Sequence, residues 1–142
     1  EIGANNAGPD IAEYTGGKFG PWCAYFLSWA INQALRGLGH PALPPRPTAK
    51  GLASELLKRG ERVSTPAVGD IVVWERGPRG GWQGHAGIVW KYISETDTLV
   101  TVEGNFGPYP SKVSVIIRPN GRWRTRLWRI VRWHGAPKEG KQ

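Results

Sequence analysis

Apolar positions along this chain change their spacing near residue 60. Before it, Trp22, Ala24, Tyr25, Phe26, Leu27, Trp29, Ala30, Ile31, Ala34, Leu35 and Leu38 cover a wide helical face. That pattern predicts a helix over residues 22–38, buried between layers. Gly37 and Gly39 mark its end. A shorter helix is predicted over 9–14, inside a Gly- and Asn-rich segment. "HPALPPRP" (40–47) predicts a loop. "TAKGLASELLKRG" (48–60) predicts another helix, with Thr48 as its N-cap and Gly60 as its stop.

Beyond Gly60 the apolar runs become short, β-branched and aromatic. "GDIVVWE" (69–75), "HAGIVWKYI" (85–93), "TLVTVEGN" (98–105), "KVSVIIR" (112–118) and "RLWRIVRWH" (126–134) read as five strands. Clusters such as "RGPRGG", "SETD", "GPYPS" and "PNGR" separate them as turns. Helices followed by strands predict an α+β domain with an antiparallel sheet of about five strands. Within it, "RPNGRWRTRLWRIVRWHG" (118–135) predicts a hairpin turning at Asn120-Gly121, with Trp on one face and Arg solvated.

A length of 142 residues, 39% of them hydrophobic and 21% charged, suits one globular domain. We expect that domain over 1–134, with 135–142 a flexible basic tail. The single cysteine excludes an internal disulfide and every cysteine-based zinc cluster. No apolar run is long enough to cross a membrane. The start "EIGANNAGPD" lacks the basic and apolar regions of a signal peptide, and the chain holds no Met. It is therefore expected to follow a removed start or to be part of something longer. The net charge of +8 favours an anionic partner: nucleic acid, anionic lipid or an acidic wall polymer.

That one cysteine is Cys23, in "GPWCAYFLSW". A free cysteine is ordinarily a small buried hydrophobe. Here it follows Pro21 at a helix start, where unpaired N–H groups and the helix dipole favour a thiolate. The same groups suit the oxyanion of a tetrahedral intermediate. A thiolate nucleophile needs a base, and histidine is the usual one. His40 and His134 lie at element ends. His85 opens a strand in "GHAGIVW", with Gly87 on its face leaving space above the ring for substrate. A third polar group normally orients the base. "VEGN" offers Glu103 and Asn105 two residues apart, and antiparallel pairing of the 85–93 and 98–105 strands brings either one beside His85.

Taken together, "NNAGPDIAEY…PWCAYFLSW", "VGDIVVW", "GHAGIV" and "VEGN" resemble the CHAP family of cysteine, histidine-dependent amidohydrolases and peptidases. The likeness runs from about residue 3 to 105. It implies a papain-like fold and cleavage of amide bonds in bacterial peptidoglycan, as in a phage lysin or a wall-remodelling or antibacterial enzyme. By motif position Cys23 is the implied nucleophile, His85 the base, Glu103 the orienting residue and Asn105 a supporting polar group. Such an enzyme acts on the wall after secretion or lysis, as a monomer and without a cofactor. Some members carry an Asp-rich calcium site before the nucleophile. "TGGKFGPW" has no acid, so no metal is expected there.

Several side chains suggest substrate contact. Asn6 and Tyr14 belong to the resembling N-terminal block, although Gly-Asn segments also simply make turns. Trp22 adjoins the nucleophile. Trp82, with Trp74 and Trp90, lies on or beside the strands of the proposed site and suits a groove or the core equally. The contrasting reading is a non-enzymatic basic module that binds nucleic acid or an anionic envelope, with Cys23 structural and the Arg/Trp run as its contact surface. No nucleotide-binding glycine motif is present in a suitable strand–helix setting.

Overall fold

The computed structural model describes residues 1–18, 21–44 and 46–134. The expected tail lies outside the described residues. Three helices precede the sheet: α1 (Pro9–Thr15), α2 (Cys23–Gly37) and α3 (Ala49–Leu57). Cys23, Leu27, Ile31 and Leu35 recur every fourth residue along α2, and all are buried. Thr48 caps α3 as expected, its hydroxyl accepting from the Gly51 N–H at 3.0 Å.

Six strands follow: β1 (Gly60–Val63), β2 (Ile71–Glu75), β3 (Gly84–Ile93), β4 (Thr98–Phe106), β5 (Lys112–Arg118) and β6 (Leu127–Trp133). They form one antiparallel sheet in the order β1-β6-β2-β3-β4-β5. The α+β class therefore holds, and the arrangement is compatible with a papain-like fold. The extra strand is β1. Its "GERV" has exposed Glu61 and Arg62 and no apolar alternation, so only its pairing with β6 makes it a strand. Gly60 is required at that seam, because a Cβ there would sit 2.1 Å from the Arg132 carbonyl oxygen.

The expected hairpin between the last two strands does not form. Asn120 and Gly121 do turn, with φ of 54° and 72°, but their N–H groups donate to Thr96 and Asp97 carbonyls. The chain then crosses the sheet, so that β5 pairs with β4 while β6 enters between β1 and β2. Trp123 supplies the reason. It is fully buried between the sheet and that crossing, its Nε1 donating to Asp97 Oδ1 at 3.1 Å. The arginines of this run are engaged rather than simply solvated. Arg124 pairs with Asp97, Arg132 pairs with Asp70, and Arg129 stacks over Trp128.

The two faces of the sheet have different roles. Ile71, Val73 and Ala86 pack against the helices. Val72, Trp74, Val89, Leu99, Trp123 and Ile130 form a second core on the opposite face. Strand alternation puts His85, Thr101 and Glu103 on that second face, and pairing sets Trp74 directly opposite His85. Among the described residues, no helix is long and apolar enough to cross a membrane.

Candidate active site

Cys23 is the first residue of α2, and the N-cap residue Trp22 supplies no side-chain cap. The first helical N–H groups are thus left without the usual capping oxygen. One of them, that of Ala24, donates to the Cys23 sulfur, as does the Ala86 N–H at the start of β3. The thiol is 5% exposed and hydrogen-bonds to the His85 ring. Burial by itself pushes the thiol up. The His85 hydrogen bond and charge, with the two backbone donors, outweigh it and hold the thiol below its ordinary value.

His85 is 2% exposed, and its Nε2 lies 2.6 Å from Glu103 Oε1. That leaves Nδ1 for the thiol, so the ring bridges the two groups. Burial disfavours the imidazolium. Hydrogen bonds to Cys23 and Glu103, and their charges, overcome it and raise His85 above its usual value. Of the two residues that the motif offers, Glu103 is the one hydrogen-bonded to the His85 ring. A bulge between Glu103 and Phe106 breaks the strand alternation, and Asn105 adopts φ 54° there. Asn105 lines the cleft instead.

Glu103 is completely buried and held from three sides. Arg118 grips it with both terminal nitrogens, Nη2 lying 3.0 Å from Oε1, and the Thr101 hydroxyl donates to Oε2. Burial pushes this carboxyl up, but the His85, Arg118 and Thr101 hydrogen bonds bring it down to about 2. Arg118 in turn lies over the Trp74 ring, 4.2 Å from its centroid, and Trp74 stacks on His85 at 6.1 Å. One continuous chain of contacts therefore runs from Arg118 through Glu103 and His85 to Cys23. Nothing about an arginine at the end of an amphipathic strand marks it as Glu103's partner. Only the antiparallel β4–β5 register sets Arg118 on Glu103's face.

The space above Gly87 has a different occupant from the expected one. A Cβ there would lie 2.7 Å from Glu103 Cγ and 3.2 Å from Thr101 Cβ. Gly87 thus makes room for the Glu103 carboxylate. A separate cleft of about 310 Å³ is lined by Cys23, His85 and Asn105. Thr48 borders it at the start of α3, and Arg76, Trp82 and Gln83 border it from the β2–β3 loop.

Of the expected contact residues, Trp82 lines this cleft and is 66% exposed. The other three lie outside the lining of this cleft. Trp22 is 1% exposed, and its Nε1 donates to Glu1 Oε1 at 3.1 Å, so it is core. Tyr14 packs among Trp22, Phe26 and Trp29, and Asn6 borders a separate depression beside α1. Trp74 belongs to the second core and Trp90 is exposed outside the cleft lining.

A thiol at a helix N-terminus, an imidazole beside it and a buried carboxylate behind the imidazole form a nucleophile–base–orienter arrangement. A scan of protein families matches the CHAP domain over residues 13–105, and the chain belongs to that family. It is a family of peptidoglycan hydrolases and amidases that act on the bacterial cell wall. No curated protein and no solved structure matches the chain.

Proposed function

We propose that this protein hydrolyses an amide bond of bacterial peptidoglycan, with Cys23 as nucleophile, His85 as general base and acid, and Glu103 as the residue that orients His85. The observation that carries this reading is the unbroken Cys23–His85–Glu103 hydrogen-bonded chain opening onto the cleft. The Cys23 thiolate attacks the amide carbonyl, and the backbone N–H of Cys23 helps hold the oxyanion. His85 gives its proton to the leaving amine, which departs and leaves a thioester on Cys23. His85 then takes a proton from water, whose oxygen attacks the thioester and frees a carboxylic acid and the thiol. Glu103 stays ionised and stabilises the imidazolium. Asn105 and Trp82 contact the substrate in the cleft.

The test is digestion of purified peptidoglycan with mass spectrometry of the soluble products. Fragments bearing a new amine and a new carboxyl, and no new reducing sugar ends, support an amide hydrolase. The masses also name the bond. An intact wall across a range of pH, salt and wall sources would favour the basic binding module instead.

A further inference from the structure

The charge of the cleft is one-sided. Among the described residues, Arg76 is the one Lys or Arg in its lining and no carboxylate lines it. The other arginines near acids are neutralised: Arg46 by Glu55, Arg118 by Glu103, Arg124 by Asp97 and Arg132 by Asp70. No such pair forms at Arg76 among the described residues.

The loop that carries Arg76 is anchored. Its N–H donates to the Gln83 carbonyl at 3.1 Å, closing the loop at its base. Glu75 accepts from Lys50 at 2.8 Å and from the Gly80 N–H at 3.1 Å, and Lys50 reaches the Gly81 carbonyl. Arg126 holds the Gly77 carbonyl from below at 2.6 Å. Trp82, on the same loop, exposes most of its ring at the cleft. A fixed loop thus presents an unpaired guanidinium and an apolar plate beside Cys23. A guanidinium in this setting matches a carboxylate bidentately.

We infer that Arg76 is a substrate-binding residue that selects peptides carrying a free carboxylate close to the scissile amide, with Trp82 packing against the same segment. This rests on the thiol-hydrolase reading for its substrate, but its charge argument is testable on the thiol alone.

Alkylation of Cys23 by iodoacetate, an anion, is compared with alkylation by neutral iodoacetamide, followed by intact mass. The ratio of the two rates is measured for the wild type, Arg76→Gln and Arg79→Gln. Arg79 lies on the same loop but does not line the cleft. The ratio should fall roughly two- to fivefold in Arg76→Gln, the size of an exposed ion pair, and stay unchanged in Arg79→Gln. An equal ratio in wild type and Arg76→Gln, or an equal fall in both variants, overturns the assignment.

Turnover supplies the second arm, using paired wall peptides with the carboxylate free or amidated. Arg76→Gln should raise KM on the free form, leave kcat near wild type, and change neither on the amidated form. Equal losses on both forms would overturn the carboxylate assignment. Absence of any turnover would refute the hydrolase reading, while the alkylation ratio would still decide the charge question.

Discussion

Removing Arg118 tests the site's foundation. Glu103 is fully buried and, among the described residues, depends on Arg118 for its only full counter-charge besides a protonated His85. Arg118→Met keeps an apolar stem over Trp74 and leaves the carboxylate in place. Breaking a buried ion pair by deleting one partner costs about 3–5 kcal/mol. For a chain of this size that lowers Tm by roughly 10 °C, at roughly 3 °C per kcal/mol. The assay is thermal and urea unfolding at pH 7 of wild type, Arg118→Met, Glu103→Gln and the double variant. Because the cost comes from a stranded charge, the double variant should be more stable than Arg118→Met alone. The acid limb carries a second signature. Glu103's carboxyl is depressed in the folded state, so its stabilisation is present above about 4.5 and is lost as pH falls towards about 2. Without Arg118 the folded carboxyl moves up towards its unfolded value, so that acid loss should be smaller and should end at higher pH. A cost below about 1 kcal/mol, the range of an exposed pair, or simple additivity in the double variant, would refute the reasoning.

Three further outcomes follow from the same geometry. Gly87→Ala pushes a methyl to within 2.7 Å of Glu103 Cγ, so wall-clearing rate should fall about 10–100-fold through misplacement of the carboxylate, with circular dichroism unchanged. Iodoacetamide alkylation of Cys23 should rise with pH through a midpoint below the ordinary thiol value of 9.0, because His85 stabilises the thiolate. In His85→Ala, burial is no longer opposed by that partner and the midpoint should move up; an unmoved midpoint would show that the thiol and ring do not interact. The +8 charge should make binding to whole cells weaken as salt is raised, since the Debye length shrinks to about 3 Å at 1 M. Binding that is indifferent to salt would remove the charge from the account.

The helices were legible in the sequence because their apolar stripes and stops are local signals. The wide apolar face from Trp22 to Leu38 announces α2, and Thr48 announces the start of α3. Cys23, His85 and the Glu103/Asn105 pair were legible because helix start, strand alternation and one antiparallel pairing bring them together, whereas the bulge that sets Glu103 apart from Asn105 was not. What escaped depends on pairing between distant segments. β1 is a strand only because β6 lies beside it. The Asn120-Gly121 turn looks like a hairpin until the burial of Trp123 carries the chain across the sheet. Trp22 looks like a site residue by proximity in sequence, yet the helix start turns its ring into the core. Arg118 stayed hidden among the six arginines of the 118–135 run because its distinction is a register position, not a motif.

The central claim is that the Cys23 thiol performs the cleavage. The most direct measurement is turbidity loss of purified peptidoglycan by wild type, Cys23→Ala and Cys23→Ser at equal concentration, each verified as folded. Clearing by wild type and none by either variant is expected, since a serine hydroxyl beside His85 is a far weaker acid than a thiol. Clearing by Cys23→Ala at the wild-type rate would contradict it.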